Sequence, residues 1–346
     1  DLETVEQISS TIDPINNGLL ISQTKIWIDN KNYEKLNKLF SCKNEYHLLG
    51  EFFFLISNLY SADENYIKSN FYLNISNYLN PGFYFNMYLL AENYFITKNY
   101  TASKNILKKF TQSDEVFYWH RIKRISKIIE IQENEFKSLN YIEQKFKQIK
   151  KPSTKIIYDM ANIYKNFKEY KKAIELYTLL INEVDNSTEV YADLLYKRGG
   201  SFERIGNYKK SDNDLIKSLE IVPDDPYVMN YLAYSWLERK YKIDEALKML
   251  KEAYDQKEND PYIIDSIGWA YFLIEDYEKA EEYLIQAVEL MPDDPIVNDH
   301  YGDILWMLNK KMQARYFWKN VLKLKDTEDF MKKNIREKLL KGLNKT

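Results

Sequence analysis

Residues 260–295, DPYIIDSIGWAYFLIEDYEKAEEYLIQAVELMPDDP, constrain the fold more than any other stretch of the chain. Two segments with apolar residues at helical spacing meet at Glu275-Asp276, and Pro261, Pro292 and Pro295 punctuate the ends. With Pro261 as position 1, Ile264, Ile267, Gly268 and Tyr271 fall at positions 4, 7, 8 and 11, and Ala280, Leu284, Ala287 and Pro292 fall at 20, 24, 27 and 32. This is one period of a 34-residue helix-turn-helix repeat. Two antiparallel helices approach closely only where side chains are small, which Gly268, Ala280 and Ala287 provide, while Ile264, Ile267, Tyr271 and Leu284 fill the space between. Pro292 stops the second helix and aims the next repeat.

The same register can be followed along the chain. Leu2, Val5, Ile8 and Ile12 read as a remnant helix that ends at Asp13-Pro14, and a degenerate repeat over 17–43 places Trp27, Tyr33, Leu36 and Phe40 at 11, 17, 20 and 24. Next come Leu49-Gly50 and Phe53, then about seven extra residues before Ser69, Leu73, Ser76 and Pro81, so a helix or turn is lengthened there. Residues 84–117 fit in register through Met87, Leu90, Ala91 and Tyr94, whereas 118–153 are amphipathic without the small-residue marks. From Thr154 the repeats are regular, marked by Met160-Ala161, Leu195 with Gly199, Leu232-Ala233 and Tyr301-Gly302, with a longer turn at 240–243. The expected domains are therefore divergent repeats over 1–153, regular repeats over 154–326 and a capping helix over 327–346. The polar outer face of that last helix suits the open end of a solenoid, and its Lys and Arg read as a solvated cap, the alternative being a patch for a membrane or an acidic partner.

At 346 residues the chain exceeds the usual single core, and repeats favour a solenoid that grows without thickening. A formal charge of -3 gives no basic field for a nucleic-acid backbone. The 30 Tyr, with abundant Asn, Lys and Ile, read as the mark of an AT-rich coding sequence rather than a special aromatic role. Cys42 is the only cysteine, which excludes an internal disulfide and a cysteine zinc cluster and leaves the compartment open. No run approaches the roughly 18 apolar residues of a membrane span. A start at Asp1, without Met or an apolar leader, reads as a processed or trimmed piece of a longer protein.

Three C-terminal segments, DPYVMNYLAYSWLER (225–239), DPYIIDSIGWAYFLIEDYEKA (260–280) and DPIVNDHYGDILWMLNKKMQARYFWKNVL (294–322), resemble bacterial tetratricopeptide repeat proteins, often exported. Part of that group is similar to envelope lipoproteins that act as adaptors of carboxyl-terminal processing proteases. The resemblance is close over 191–324 and upstream rests on spacing; no lipobox cysteine is present. It implies an all-α fold, a right-handed α-solenoid of antiparallel helix pairs, and a binding scaffold without catalysis or cofactor. It further implies a protein or peptide partner, with a processing protease as the example. The compartment would be the periplasm or the inner face of the outer membrane, with the cytoplasm as the alternative.

In such an array the first helix of each repeat lines the concave face, with positions 2, 5, 9, 12 and 13 turned to it. The expected partner-binding column contains Tyr158, Asn162, Tyr196, Gly200, Asn230, Tyr234, Tyr262, Asp265, Trp269, Phe272, Asp299, Asp303 and Trp306. His47, Glu51, Tyr88 and Glu92 extend it upstream, and Tyr227, Ile296 and Met307 join it downstream. Asn and Asp can bond a peptide backbone or basic side chains, and Trp and Tyr supply contact area at small entropic cost. The combination of Lys, Asn and Arg that makes a carboxylate clamp is missing from this column. Gly200, beside the packing glycine Gly199, leaves a gap that a ligand could fill or that is simply tolerated.

Enzyme readings find little support. Adjacent Asp299 and His300 point to different helix faces, which disfavours a metal site with Asp303, and with 3 His in the chain an HExxH cluster is missing. Neither a P-loop, a G-x-G-x-x-G nor a G-x-S-x-G is found. Cys42 sits beside Lys43 with no evident base. The leading reading is a non-catalytic scaffold in an envelope complex. The runners-up are a cytoplasmic assembly scaffold and an enzyme accessory or metal-binding subunit.

Overall fold

A computed structural model describes residues 2–13, 15, 17–39, 44–112 and 115–343, so that Pro14, Phe40 and Cys42 lie outside the described residues. Among the described residues there are helices and no strand, and no helix is long and apolar enough to cross a membrane. The chain divides into two compact units, Asp1–Leu176 and Tyr177–Thr346.

Unit 1 begins with α1 (Leu2–Ser10), α2 (Leu19–Asp29) and α3 (Tyr33–Leu39). Three hairpins follow: α4 (Glu45–Ala62) with α5 (Tyr66–Leu79), α6 (Tyr84–Ile96) with α7 (Tyr100–Leu107), and α8 (Glu115–Gln132) with α9 (Glu135–Lys147). Then come α10 (Thr154–Asn166) and α11 (Tyr170–Ile181), whose last turns belong to unit 2. The expected lengthening falls on α4, which has 18 residues against 13 in α6. The expected degenerate repeat at the start behaves differently from an array member. Repeats contact only their neighbours in a solenoid, yet α2 packs on α8, where the buried Gln23 side chain accepts from the Val116 N–H at 3.0 Å.

Residues 118–153 do carry small-residue marks. Ser126 and Ser138 are buried against each other, each hydroxyl donating to the other's backbone carbonyl with the two hydroxyl oxygens 2.8 Å apart. Taking Ser126 as position 8 puts Ile122, Ile128, Ser138 and Ile142 at 4, 10, 20 and 24, and all four are buried. Serine is small enough for the contact, and its hydroxyl is satisfied by backbone carbonyls, so burial leaves nothing unpaired.

Unit 2 contains α12 (Glu189–Arg204) with α13 (Tyr208–Ile221), α14 (Pro226–Glu238) with α15 (Ile243–Gln256), α16 (Pro261–Leu273) with α17 (Tyr277–Leu290), α18 (Pro295–Met307) with α19 (Lys311–Val321), and the closing α20 (Asp329–Lys341). Local chemistry sets the boundaries. Asp225, Asp260 and Asp294 each accept two backbone N–H groups at the start of α14, α16 and α18, with Pro at the first helical position. Each first helix ends in a residue of left-handed backbone, as at Glu275 (φ 63), followed by the cap Asp276, whose N–H returns to the Tyr271 carbonyl at 3.0 Å. Lys240 and Lys242 are both left-handed, φ 50 and 48, which is how the longer turn before α15 is made.

The core of unit 2 runs along the hairpin seams, with Leu232, Leu250, Ile267, Leu284, Ile304 and Trp318 fully buried. A Cβ on Gly268 would lie 2.6 Å from Leu284 Cγ, and one on Gly302 would lie 2.5 Å from the Trp318 ring. Gly200 is a different case, because its missing side chain leaves room for Tyr231 of the following repeat, whose Oη would lie 3.3 Å from an added Cβ. A buried indole cannot yield, but the end of a tyrosine can. Gly302→Ala should therefore lower the melting temperature, its overpacking cost of about 1–3 kcal/mol exceeding the roughly 1 kcal/mol gained in helix propensity. Gly200→Ala should leave it unchanged or raise it. Thermal unfolding followed by circular dichroism compares the two.

Candidate partner-binding face

In unit 2 the first helices α12, α14, α16 and α18 lie side by side. Positions 5 and 9 of α12 and α16 are occupied by the next first helix, because Tyr231 and His300, at position 6 of α14 and α18, reach back to them. Tyr231 meets Tyr196 edge to face at 5.7 Å and extends its hydroxyl to Glu203 at 3.2 Å, passing over Gly200. His300 bonds through Nδ1 to both carboxylate oxygens of Asp265 at 2.9 and 3.0 Å. Its ring stacks on Trp269 at 4.1 Å, and Trp269 in turn stacks on Phe272 at 4.7 Å. The gap at Gly200 is thus filled from within the chain.

The acidic end of the column is balanced in the same way. Lys338 of α20 places Nζ 2.6 Å from Asp299 and 2.7 Å from Asp303, and Asp303 also accepts from the Trp318 indole at 2.9 Å. Asp265 and Asp303 are buried. The Lys run of α20 is therefore not uniformly solvated, since Lys338 is the internal counter-charge of two aspartates. The carboxylates around it outweigh burial and hold Lys338 above the ordinary lysine value. Trp306 lies between Trp318 and the Gly342 backbone, with Arg315 and Lys311 over its ring.

Unit 1 repeats this scheme. With Ser126 at position 8, Arg124 is at position 6, and its guanidinium forks onto Glu92 at position 9 of the preceding first helix. Asp159, at position 6 of α10, receives the Lys123 ammonium at 2.6 Å and the Trp119 indole at 3.1 Å. Tyr158 is buried and Asn162 half-buried. The sequence reading missed Arg124, Lys123, Asp159 and Lys338, and a search for opposite charges between positions 5 or 9 and the next position 6 would have found the first three.

Solvent reaches position 2, where Tyr227, Tyr262 and Ile296 of three successive repeats are 51%, 57% and 45% exposed. Half-buried Asn230, Tyr234, Trp269, Phe272 and Trp306 lie beyond them. Two buried atoms here, Asn230 Oδ1 and Trp269 Nε1, have no hydrogen-bond partner among the described residues. Among the described residues no group of three or more His, Cys, Asp or Glu could hold a metal. His300 is committed to Asp265, and Asp299 and Asp303 to Lys338.

Burial works against the charged form of His300, yet the charge and hydrogen bond of Asp265, with Asp299 and Asp303 nearby, hold it above the ordinary histidine value. A raised folded value means that the pair's stabilisation is complete below about pH 6.5 and is lost as pH rises through the folded value. Between about pH 6 and 9 the wild type should thus lose more stability than His300→Gln, as read from urea unfolding at each pH. Lys338→Met, which keeps the stem and strands two aspartates, should cost about 3 kcal/mol; adding Asp303→Asn should recover part of that loss in the same assay.

A sequence profile of the tetratricopeptide repeat matches residues 120–327. A TPR repeat-containing protein of Pseudomonas aeruginosa, PA4667, is 30% identical over 111 residues, 32% of this chain and 19% of that protein. Anaphase-promoting complex subunit 3 of Schizosaccharomyces pombe is 27% identical over 120 residues, 35% of this chain and 16% of that protein. The matched regions are thus less than a fifth of the length of these curated relatives. Among solved structures, a tetratricopeptide repeat protein from Parabacteroides merdae superposes with a TM-score of 0.53 at 14% identity, covering 84% of this chain and 98% of that one, a likeness of fold alone. With a family profile matching more than half of its length and the repeat's own packing visible in both units, the chain belongs to the tetratricopeptide repeat family.

Proposed function

We propose that this protein is a non-catalytic scaffold that holds a protein or peptide partner against the first helices of unit 2. The observation that carries the reading is the recurrence of Tyr227, Tyr262 and Ile296 at one repeat position, roughly half exposed, on helices whose opposite faces are locked in the core. Aromatic side chains on a rigid backbone give contact area without much ordering cost. The acidic residues that the sequence places in this column contribute by fixing the seams, since their charges are balanced internally.

The finer reading, an adaptor in a bacterial envelope complex with a processing protease, is supported by the resemblance carried by 225–239, 260–280 and 294–322. The compartment proposed with it is the periplasm or the inner face of the outer membrane.

Affinity purification from the native host, with wild type beside Tyr227→Ala/Tyr262→Ala, tests the binding face. Each truncated aromatic should cost on the order of 1–2 kcal/mol of partner affinity, with an unchanged melting temperature, so the specific co-purifying proteins should fall away together. Equal recovery with both proteins would sink the assignment of this face. A protease among the lost proteins supports the adaptor reading, and cell fractionation tests the compartment.

A further inference from the structure

Position 6 and position 10 of a first helix form the face that the preceding repeat covers. In unit 2 this face is closed at Ser266 and Ala270, and at His300 and Ile304, all of them buried. In unit 1 it is closed at Asn93, which bonds Ser61 of α4 and Ser69 and Asn70 of α5. On α4 nothing among the described residues covers it. With Gly50 at position 8, Leu48 and Phe52 occupy positions 6 and 10 and are 57% and 55% exposed, and Leu55 and Leu59 continue the row at 63% and 69%.

The spacing 48, 52, 55, 59 is four-three-four, the seam spacing of one helix laid along another. On α5 the residues 67, 71, 74 and 78 repeat it, with Ile67, Phe71 and Tyr78 at 86%, 61% and 84% exposure. The two rows are joined by a run of ring contacts across the hairpin, Phe52 to Phe53 at 5.9 Å, Phe53 to Tyr72 at 5.8 Å and Tyr72 to Phe71 at 5.3 Å. Seven large side chains at roughly 100 Å² each give on the order of 700 Å² of apolar surface. That is near one partner's share, about 800 Å², of a stable interface, and at or above the largest patch that monomers usually leave open.

We propose that the α4–α5 face is a self-association surface, covered by the same face of a second copy of this chain. The packing register asks for helices, and a second copy supplies two of them carrying the matching four-three-four rows. A two-fold contact sets like against like, which an uncharged row tolerates: none of the eight positions carries a charge, and Asn74 and the Tyr78 hydroxyl can bond across the axis. The pair would bury on the order of 1,400 Å² in total, within the standard size.

Sedimentation equilibrium of the whole chain up to about 100 μM, well above a micromolar dissociation constant, tests this. The expected result is a dimer for the wild type and for Tyr262→Ala, and a monomer for Phe52→Glu/Leu55→Glu with its helical circular dichroism and melting temperature retained. Both substitutions are at exposed sites, and Ile67→Glu/Phe71→Glu gives a second, independent disruption of the same face. A wild type that stays monomeric, or a variant with intact helicity that still dimerises, overturns the proposal. Closure of the face by the chain's own α2–α3 segment or by a helix of another protein would be read as the first of these.

Discussion

The structure depends on one close approach, that of position 8 on a first helix to position 24 on its partner. Gly268 receives Leu284 and Gly302 receives Trp318 at separations that leave no room for a methyl group, and Gly199 receives Leu215 nearly as closely. What fills position 24 then decides what surrounds it. Leucine asks for nothing more, but the Trp318 ring brings a buried N–H, which Asp303 accepts. The buried acid in turn needs a counter-charge, and Lys338 of α20 supplies it. A glycine in α18 thereby explains why the closing helix carries an inward lysine among outward ones.

The second organising contact is the reach of position 6 back to positions 5 and 9 of the preceding first helix. It turns residues expected on an open groove into the seams between repeats. Tyr231 over Gly200, His300 on Asp265 and Arg124 on Glu92 are three chemical versions of this contact, and Lys338 of the closing helix, outside the repeat register, takes the same place on Asp299 and Asp303. Each binds one repeat to the next with a polar or aromatic pair whose geometry admits a single register. The seam leaves exposed the position 2 residues Tyr227, Tyr262 and Ile296, and leaves Trp269, Phe272 and Trp306 half-buried.

The hairpins were legible in the sequence because their marks are local. Asp-Pro starts, small residues at positions 8 and 20 and the break before Asp276 each follow from backbone and packing demands within a single repeat. Residues 118–153 were harder to read because serine does the work of glycine and alanine there, and Ser126 pairs with Ser138 through hydroxyls that a search for the smallest side chains passes over. The site was half legible. The helix face was given by periodicity, but the share of it covered by the neighbouring repeat depends on a side chain 30 or more residues away, such as His300 over Asp265. Lys338 lay beyond any repeat register, so nothing in its spacing pointed to the aspartates it neutralises.

The two buried histidines show how much the seam depends on net local charge rather than on the pair itself. Both bond a carboxylate, His120 to Glu92 at 3.0 Å and His300 to Asp265 at 2.9 Å. Burial, the largest influence on His120, together with the charges of Arg124 and Lys123, keeps it below the ordinary value despite Glu92. His300 is just as buried, and burial works against its charge too, but three aspartates surround it and its value is raised. Linkage then gives the two opposite signs: the His120 contribution is lost as pH falls through its lowered value, and the His300 contribution is lost as pH rises through its raised one. In unit 1 the glutamate is already served by arginine, so the histidine's proton is redundant; in unit 2 Asp265 is paired, among the described residues, with His300, whose proton is what balances it.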